Sequence, residues 1–160
     1  MATWFSWGAE LLKVGDVAPD FSVAASDGTT VRLKDYFEKG PVVLYFYPKD
    51  DTPGCTKEAC SIRDDFAEFK NLNATVFGVS FDTAESHQKF VGKYKLPFAL
   101  LADTDKKIAV AYGVAGEKSL WAARITFVID GQGKIARVFP KVSPAEHSAE
   151  LRQALVELRK

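Results

Sequence analysis

The chain has 160 residues, 47% hydrophobic and 26% charged, the balance of one soluble globular domain with its own core rather than a disordered tail. Lysine plus arginine equals aspartate plus glutamate at 21 each, so no basic excess marks a nucleic-acid or anionic-membrane surface. No apolar run reaches the roughly 18 residues of a membrane span. The 2 cysteines are too few for a disulfide-stapled secreted scaffold and suit a reducing, cytoplasmic compartment.

Residues 1–13 (MATWFSWGAELLK) read as an N-terminal extension carrying Trp4, Phe5 and Trp7. With no basic start and with Glu10 inside it, the segment is a poor secretory signal, and an amphipathic docking turn is the plainer reading. From residue 14 to 160 the chain shows no repeat, low-complexity tract or long linker and reads as a single domain. Phe21 to Ala25 and Thr30 to Leu33 are short strands around the turn Ser26-Asp27-Gly28. Val42 to Tyr47 is apolar throughout, as in a central strand covered on both faces. Thr52 as N-cap and Pro53 as first helical residue open a helix that Asn71 to Asn73 closes. Its residues Ala59, Ile62, Phe66 and Phe69 share one face.

Thr75 to Ser80 is a second buried strand, Ala84 to Tyr94 a helix anchored by Phe90 and Tyr94, and Phe98 to Leu101 a short strand. A short helix over Asp105 to Tyr112 follows. Arg124 to Asp130 and Lys134 to Phe139 form a hairpin around Gly131-Gln132-Gly133. Pro144 to Leu158 closes the chain as a helix with Leu151, Leu155 and Leu158 on one stripe. This order predicts an α/β fold of thioredoxin-like type, a central mixed β-sheet flanked by helices.

The chemistry concentrates between Pro48 and Arg63 (PKDDTPGCTKEACSIR), where the central strand ends and the helix begins. Ligands in open α/β sheets bind at the carboxyl ends of strands. Cys55 falls at the third helical position, among unpaired N–H groups and the positive end of the helix dipole, which favour a thiolate. A lone cysteine on an inner helix face is also a common small hydrophobe. Cys60 lies five residues on, about 140° further round and about 7.5 Å along the axis. Those two positions point apart on an intact helix, so a bond between them would require local unwinding.

The pattern Pro48-x-x-x-Thr52-x-x-Cys55, set in YFYPKDDTPGCTKEACSIRDDF, resembles the active-site motif of the peroxiredoxins, and of the bacterioferritin comigratory protein or peroxiredoxin Q subfamily in particular. The resemblance runs from GDVAPDF (residues 15–21) through RITFVID (residues 124–130). It implies a thiol peroxidase that needs no cofactor. Cys55 would be the peroxidatic cysteine and Cys60 the resolving one, joined in an intramolecular disulfide. Thr52 would contact peroxide and thiolate, Pro48 would shield the pocket, and Arg124 would complete the site from a distant strand. Taken alone, Arg124 is an ordinary surface arginine. Glu58, one turn from Cys55, either orients that arginine or favours the helix dipole.

The partners so implied are a hydroperoxide substrate and thioredoxin or a similar dithiol reductant, with the chain acting as a monomer. A thioredoxin-type disulfide oxidoreductase would carry C-x-x-C, which is absent. A redox-sensing or holdase module using the same disulfide as a switch is the non-enzymatic alternative. His87 and His147 are too scattered from the cysteines to suggest zinc, so no metal is expected.

Overall fold

The computed structural model describes residues 10–159, and the aromatic residues Trp4, Phe5 and Trp7 of the extension lie outside that range. Strands β1 (Ser22–Ala24) and β2 (Thr30–Arg32) form a small antiparallel hairpin. The main sheet contains β3 (Val42–Phe46), β4 (Thr75–Ser80), β5 (Ala99–Ala102), β6 (Ile125–Ile129) and β7 (Ile135–Phe139), in the order β5-β4-β3-β6-β7. Strands β3, β4 and β5 are parallel, while β6 and β7 run antiparallel to their neighbours. Helices α1 (Pro53–Asp64), α2 (Phe66–Asn71), α3 (Ala84–Tyr94), α4 (Lys107–Tyr112) and α5 (His147–Leu158) cover the sheet. This is the thioredoxin-like mixed sheet flanked by helices that the element order predicts.

Strand β3 is buried at every residue because it has strand neighbours on both edges and a core on each face. Its alternation sorts side chains between two cores. Val42, Leu44 and Phe46 join Phe77, Val79, Phe127, Ile129 and Tyr112 on one face. Val43, Tyr45 and Tyr47 face α1, α2, α3 and α5, where they meet Ala59, Ile62, Phe69, Phe90 and Leu151. Each large side chain so enclosed contributes about 1.5–3 kcal/mol of transfer free energy. Gly78 sits opposite Tyr45 in the register. A Cβ there would stand 2.7 Å from the tyrosine Cζ, so glycine is what lets the Tyr45 ring lie over β4.

Several boundaries differ from the sequence reading. The helix opened by Pro53 breaks at Asp65, whose backbone (φ −101°, ψ 10°) leaves the helical range. The Asp65 carboxylate accepts from Ser148 Oγ of α5 at 2.6 Å, tying the break to the last helix, and the new direction sets Phe69 fully inside. Leu33–Lys39 is a 3₁₀ segment that periodicity did not mark. The last helix begins at His147, because Ser143 closes a turn by accepting from both Glu146 and His147 N–H. Leu158 is 37% exposed and Ala154 takes its place on the buried stripe. Among the described residues no helix is long and apolar enough to cross a membrane.

Candidate active site

Strand β3 delivers the chain to the carboxyl edge of the sheet. There Tyr47 is buried, Pro48 is half-buried and Lys49 is exposed, leading to Asp50 and Asp51. Thr52 is the N-cap of α1 in extended conformation (φ −99°, ψ 157°), with Pro53 as the first helical residue. Its hydroxyl does not cap the helix. Thr52 Oγ1 donates to the Lys49 carbonyl at 2.9 Å, which leaves the oxygen free to accept. The Thr56 N–H makes the first helical bond, to the Thr52 carbonyl at 2.8 Å. Cys55 therefore lies within the first turn, where N–H groups lack intrahelical acceptors.

Burial separates the two thiols. Cys55, Glu58, Ala59 and Ile62 form the inward stripe of α1, and Cys55 is 2% exposed against the core that holds Tyr45 and Tyr47. Cys60 is half-buried on another face, and both cysteines are free thiols.

Arg124 reaches Cys55 because β6 pairs with β3, with Ile125 opposite Phe46 at the same edge. Its guanidinium forks. Nη2 donates to Cys55 Sγ at 3.3 Å, and Nη1 donates to Glu58 Oε1 at 2.7 Å. Gly54 makes the approach possible, since a Cβ at that position would stand 3.1 Å from Nη2.

Burial pushes the Glu58 carboxyl up to about 7, against the bond and charge of Arg124, which pull it down. For Arg124, burial lowers the guanidinium's value, but its bonds and charge interactions with Cys55 and Glu58 outweigh that and raise it. The partners respond differently because Glu58 is wholly enclosed while the Arg124 side chain is 21% exposed. Glu58 Oε2 and the Tyr45 hydroxyl are both buried without a hydrogen-bond partner among the described residues. Behind β6, His147 Nε2 lies 2.7 Å from Thr126 Oγ1; burial holds this imidazole below its usual range, and the Arg124 charge adds to that effect.

Cys55, Glu58 and Arg124 thus converge, with Thr52 at the start of the same helix. Pro48 stands at the strand end with no polar side chain to offer, and Cys60 lies apart. Two features escaped the sequence reading. Gly54 was visible as a poor helix former in a first turn, a signal of close approach. The other is a buried cluster in which Asp50, Tyr47, Ser86 and His87 meet, spread over 40 residues of sequence without a spacing signature.

A model of the AhpC/TSA family matches residues 14–138. Peroxiredoxin Bcp of Bacillus subtilis is 42% identical over 153 residues, covering 92% of this chain and 97% of the relative. The crystal structure of peroxidoxin BcpB from Mycobacterium tuberculosis superposes with a TM-score of 0.86 at 36% identity, covering 93% of this chain and 99% of that one. The bacterioferritin comigratory protein of Xanthomonas campestris, described for its alkyl peroxide reduction activity, superposes with a TM-score of 0.85 at 30% identity, covering 93% and 100%.

Proposed function

The chain belongs to the AhpC/TSA family, among the peroxiredoxins of Bcp and peroxiredoxin Q type, and is a thiol peroxidase; from that premise we propose that Cys55 is the peroxidatic sulfur and Cys60 its resolving partner. The observation that carries the assignment is the Arg124 guanidinium donating to Cys55 Sγ at 3.3 Å within the first turn of α1. The guanidinium and the first-turn N–H groups place hydrogen-bond donors and positive charge beside the sulfur.

The steps follow from that placement. The Cys55 thiolate attacks the nearer peroxide oxygen, forming an S–O bond and breaking the O–O bond. The departing hydroxide or alkoxide takes a proton and leaves as water or alcohol. Charge moves from sulfur to oxygen, and the second guanidinium face and first-turn N–H groups lie where they can follow it. Thr52, with its hydrogen committed to Lys49, accepts the peroxide O–H and orients the attack, while Pro48 walls the pocket. Glu58 holds Arg124 in place. The Cys60 thiol then attacks the Cys55 sulfenic acid, forming the disulfide and releasing water. Thioredoxin or a similar dithiol reductant returns both thiols and carries away the electron pair as its own disulfide.

Both hydrogen peroxide and organic hydroperoxides are substrates in this reading, the latter supported by the Xanthomonas relative. Residues 14–160 act as one catalytic unit, a monomer in the cytoplasm. Stopped-flow reaction with hydrogen peroxide and an alkyl hydroperoxide, followed by mass spectrometry, tests it. Cys55→Ser should consume no peroxide. Cys60→Ser should consume a single equivalent and stall at the sulfenic acid. Rates no faster than a free thiol, or an oxidised chain without the internal disulfide, would overturn the assignment.

A further inference from the structure

Asp50 and His87 form a buried pair beside the catalytic helix, with His87 fully enclosed and Asp50 7% exposed. Asp50 Oδ1 accepts from the Tyr47 hydroxyl at 2.6 Å. Asp50 Oδ2 accepts from Ser86 Oγ at 2.7 Å and faces His87 Nδ1 at 2.8 Å. His87 Nε2 donates to the Leu101 carbonyl at 2.8 Å, which fixes a hydrogen on that nitrogen. Nδ1 and the carboxylate lie within hydrogen-bond distance of one another. Both ring nitrogens are therefore committed to hydrogen bonds. The Asp50 backbone is held too, since its N–H donates to Asp82 Oδ2 at 2.9 Å, an oxygen that Ser80 Oγ orients at 2.6 Å.

The next residue is gripped by the same helix. Asp51 has φ 56°, a left-handed conformation that side chains other than glycine seldom adopt. Its carboxylate takes Lys93 Nζ and the Tyr94 hydroxyl, each at 2.8 Å. Helix α3 thus holds two consecutive residues immediately before Thr52, where α1 starts. Arg124 comes from a separate element, at the start of β6, and its guanidinium also bonds Glu58 on α1 itself. The contact between Arg124 and Cys55 joins the start of α1 to the start of β6, and its geometry depends on where α1 begins.

We propose that His87, acting through Asp50, is a positioning residue for Cys55: with Lys93 and Tyr94 it clamps the loop that sets where α1 begins and so aligns the sulfur with Arg124. The inference rests on Cys55 being the peroxidatic sulfur. It separates the two chemical steps. Attack on peroxide needs the aligned helix start, where displacement of about 1 Å is enough to cost a large factor in rate. Disulfide formation needs that helix unwound, and every bond of the clamp lies before Thr52, so resolution does not require the clamp to hold or to break. After reduction the helix re-forms from the same fixed point.

The test measures sulfenic acid formation and disulfide formation separately, by quenched flow and mass spectrometry of the full-length reduced protein. In His87→Gln the peroxide step should fall about tenfold, while disulfide formation stays at or above the wild-type rate. Lys93→Ala, at an exposed position, should fold normally and show a smaller loss confined to the same step. It decides the matter if His87→Gln does not fold. Equal slowing of both steps, as a loosened core would give, overturns the proposal, as does an unchanged peroxide step in the folded variants. Cys55→Ser in the same assay keeps the two readings distinct: residual peroxide consumption there sinks the assignment of Cys55 itself, whatever the clamp variants do.

Discussion

Replacing Glu58 by glutamine probes the balance between burial and pairing on which the site stands. The Glu58 side chain is wholly enclosed, one oxygen bonded to Arg124 at 2.7 Å and the other without a partner among the described residues. Burial, opposed by Arg124, pushes its carboxyl from 4.5 up to about 7. Between those values the folded protein holds a proton that the unfolded chain has released. Stability from this group is therefore complete below the lower value and is lost as pH rises through the upper one. One proton changes stability by at most about 1.4 kcal/mol per pH unit, so the full loss across the window is about 3 kcal/mol.

Glutamine keeps the shape and an acceptor for Arg124 but cannot ionise. Denaturant unfolding of both reduced proteins between about pH 4 and 8 should show the wild type falling relative to Glu58→Gln by about 3 kcal/mol, most steeply midway between the two values and levelling off above the upper one. The comparison cancels carboxylates elsewhere, which both proteins share. Parallel stability curves through the window would refute the claim that burial, rather than the Arg124 pair, governs this group.

Arg124→Lys keeps the charge but loses the fork that reaches Glu58 and Cys55 together. The peroxide step should slow by about 10²-fold in stopped flow, and a loss under about threefold would refute the need for two aligned donors. Gly54→Ala should stabilise the reduced protein by up to about 1 kcal/mol through helix propensity. Its Cβ displaces the guanidinium, so the peroxide step should slow even so; equal or higher activity would show that Nη2 does not need this space. Thr56→Ala, half-exposed beside Cys55, strengthens the first turn of α1 by about 0.6 kcal/mol. Disulfide formation should slow about threefold with the peroxide step unchanged, and an unchanged or faster disulfide step would count against unwinding as the route to Cys60.

The layered sheet was legible because its strands obey simple rules. Val42 to Tyr47 is short, β-branched and aromatic, and apolar without alternation, as in a strand covered on both faces, and the turns at Ser26-Asp27-Gly28 and Gly131-Gln132-Gly133 mark the two hairpins. The start of α1 was legible too, since Thr52-Pro53 is local chemistry. What escaped depends on contacts distant in sequence. No periodicity reports that Asp65 bonds Ser148, so the break between α1 and α2 was hidden. No spacing joins Asp50 to His87, 37 residues apart, and neither residue type is expected in a core. Arg124 was placed in the site by resemblance alone. Its physical address comes from the antiparallel pairing of β6 with β3, which a list of predicted strands does not contain.

In the proposed mechanism the first half of α1 must be firm enough to present Cys55 and weak enough to let it go. Its composition meets both demands. Between Pro53 and Cys60 the buried residues are Cys55, Glu58 and Ala59; the first large apolar side chain of the helix, Ile62, comes later. Unwinding through Cys60 therefore exposes little apolar surface. Pro53, Gly54, Cys55 and Thr56 are also poor helix formers away from a helix start. Beyond Cys60 the helix is tied down: Arg63 donates to the Tyr94 carbonyl at 2.7 Å and Asp65 accepts from Ser148. Before Thr52, α3 holds Asp50 and Asp51. The segment free to melt is bounded on both sides by fixed points, and both cysteines lie inside it. Within it the firmest tie is between Glu58 and Arg124, and burial of Glu58 becomes costly once the carboxyl ionises. Rising pH through about 7 thus weakens the same turn that the proposed disulfide step would have to open.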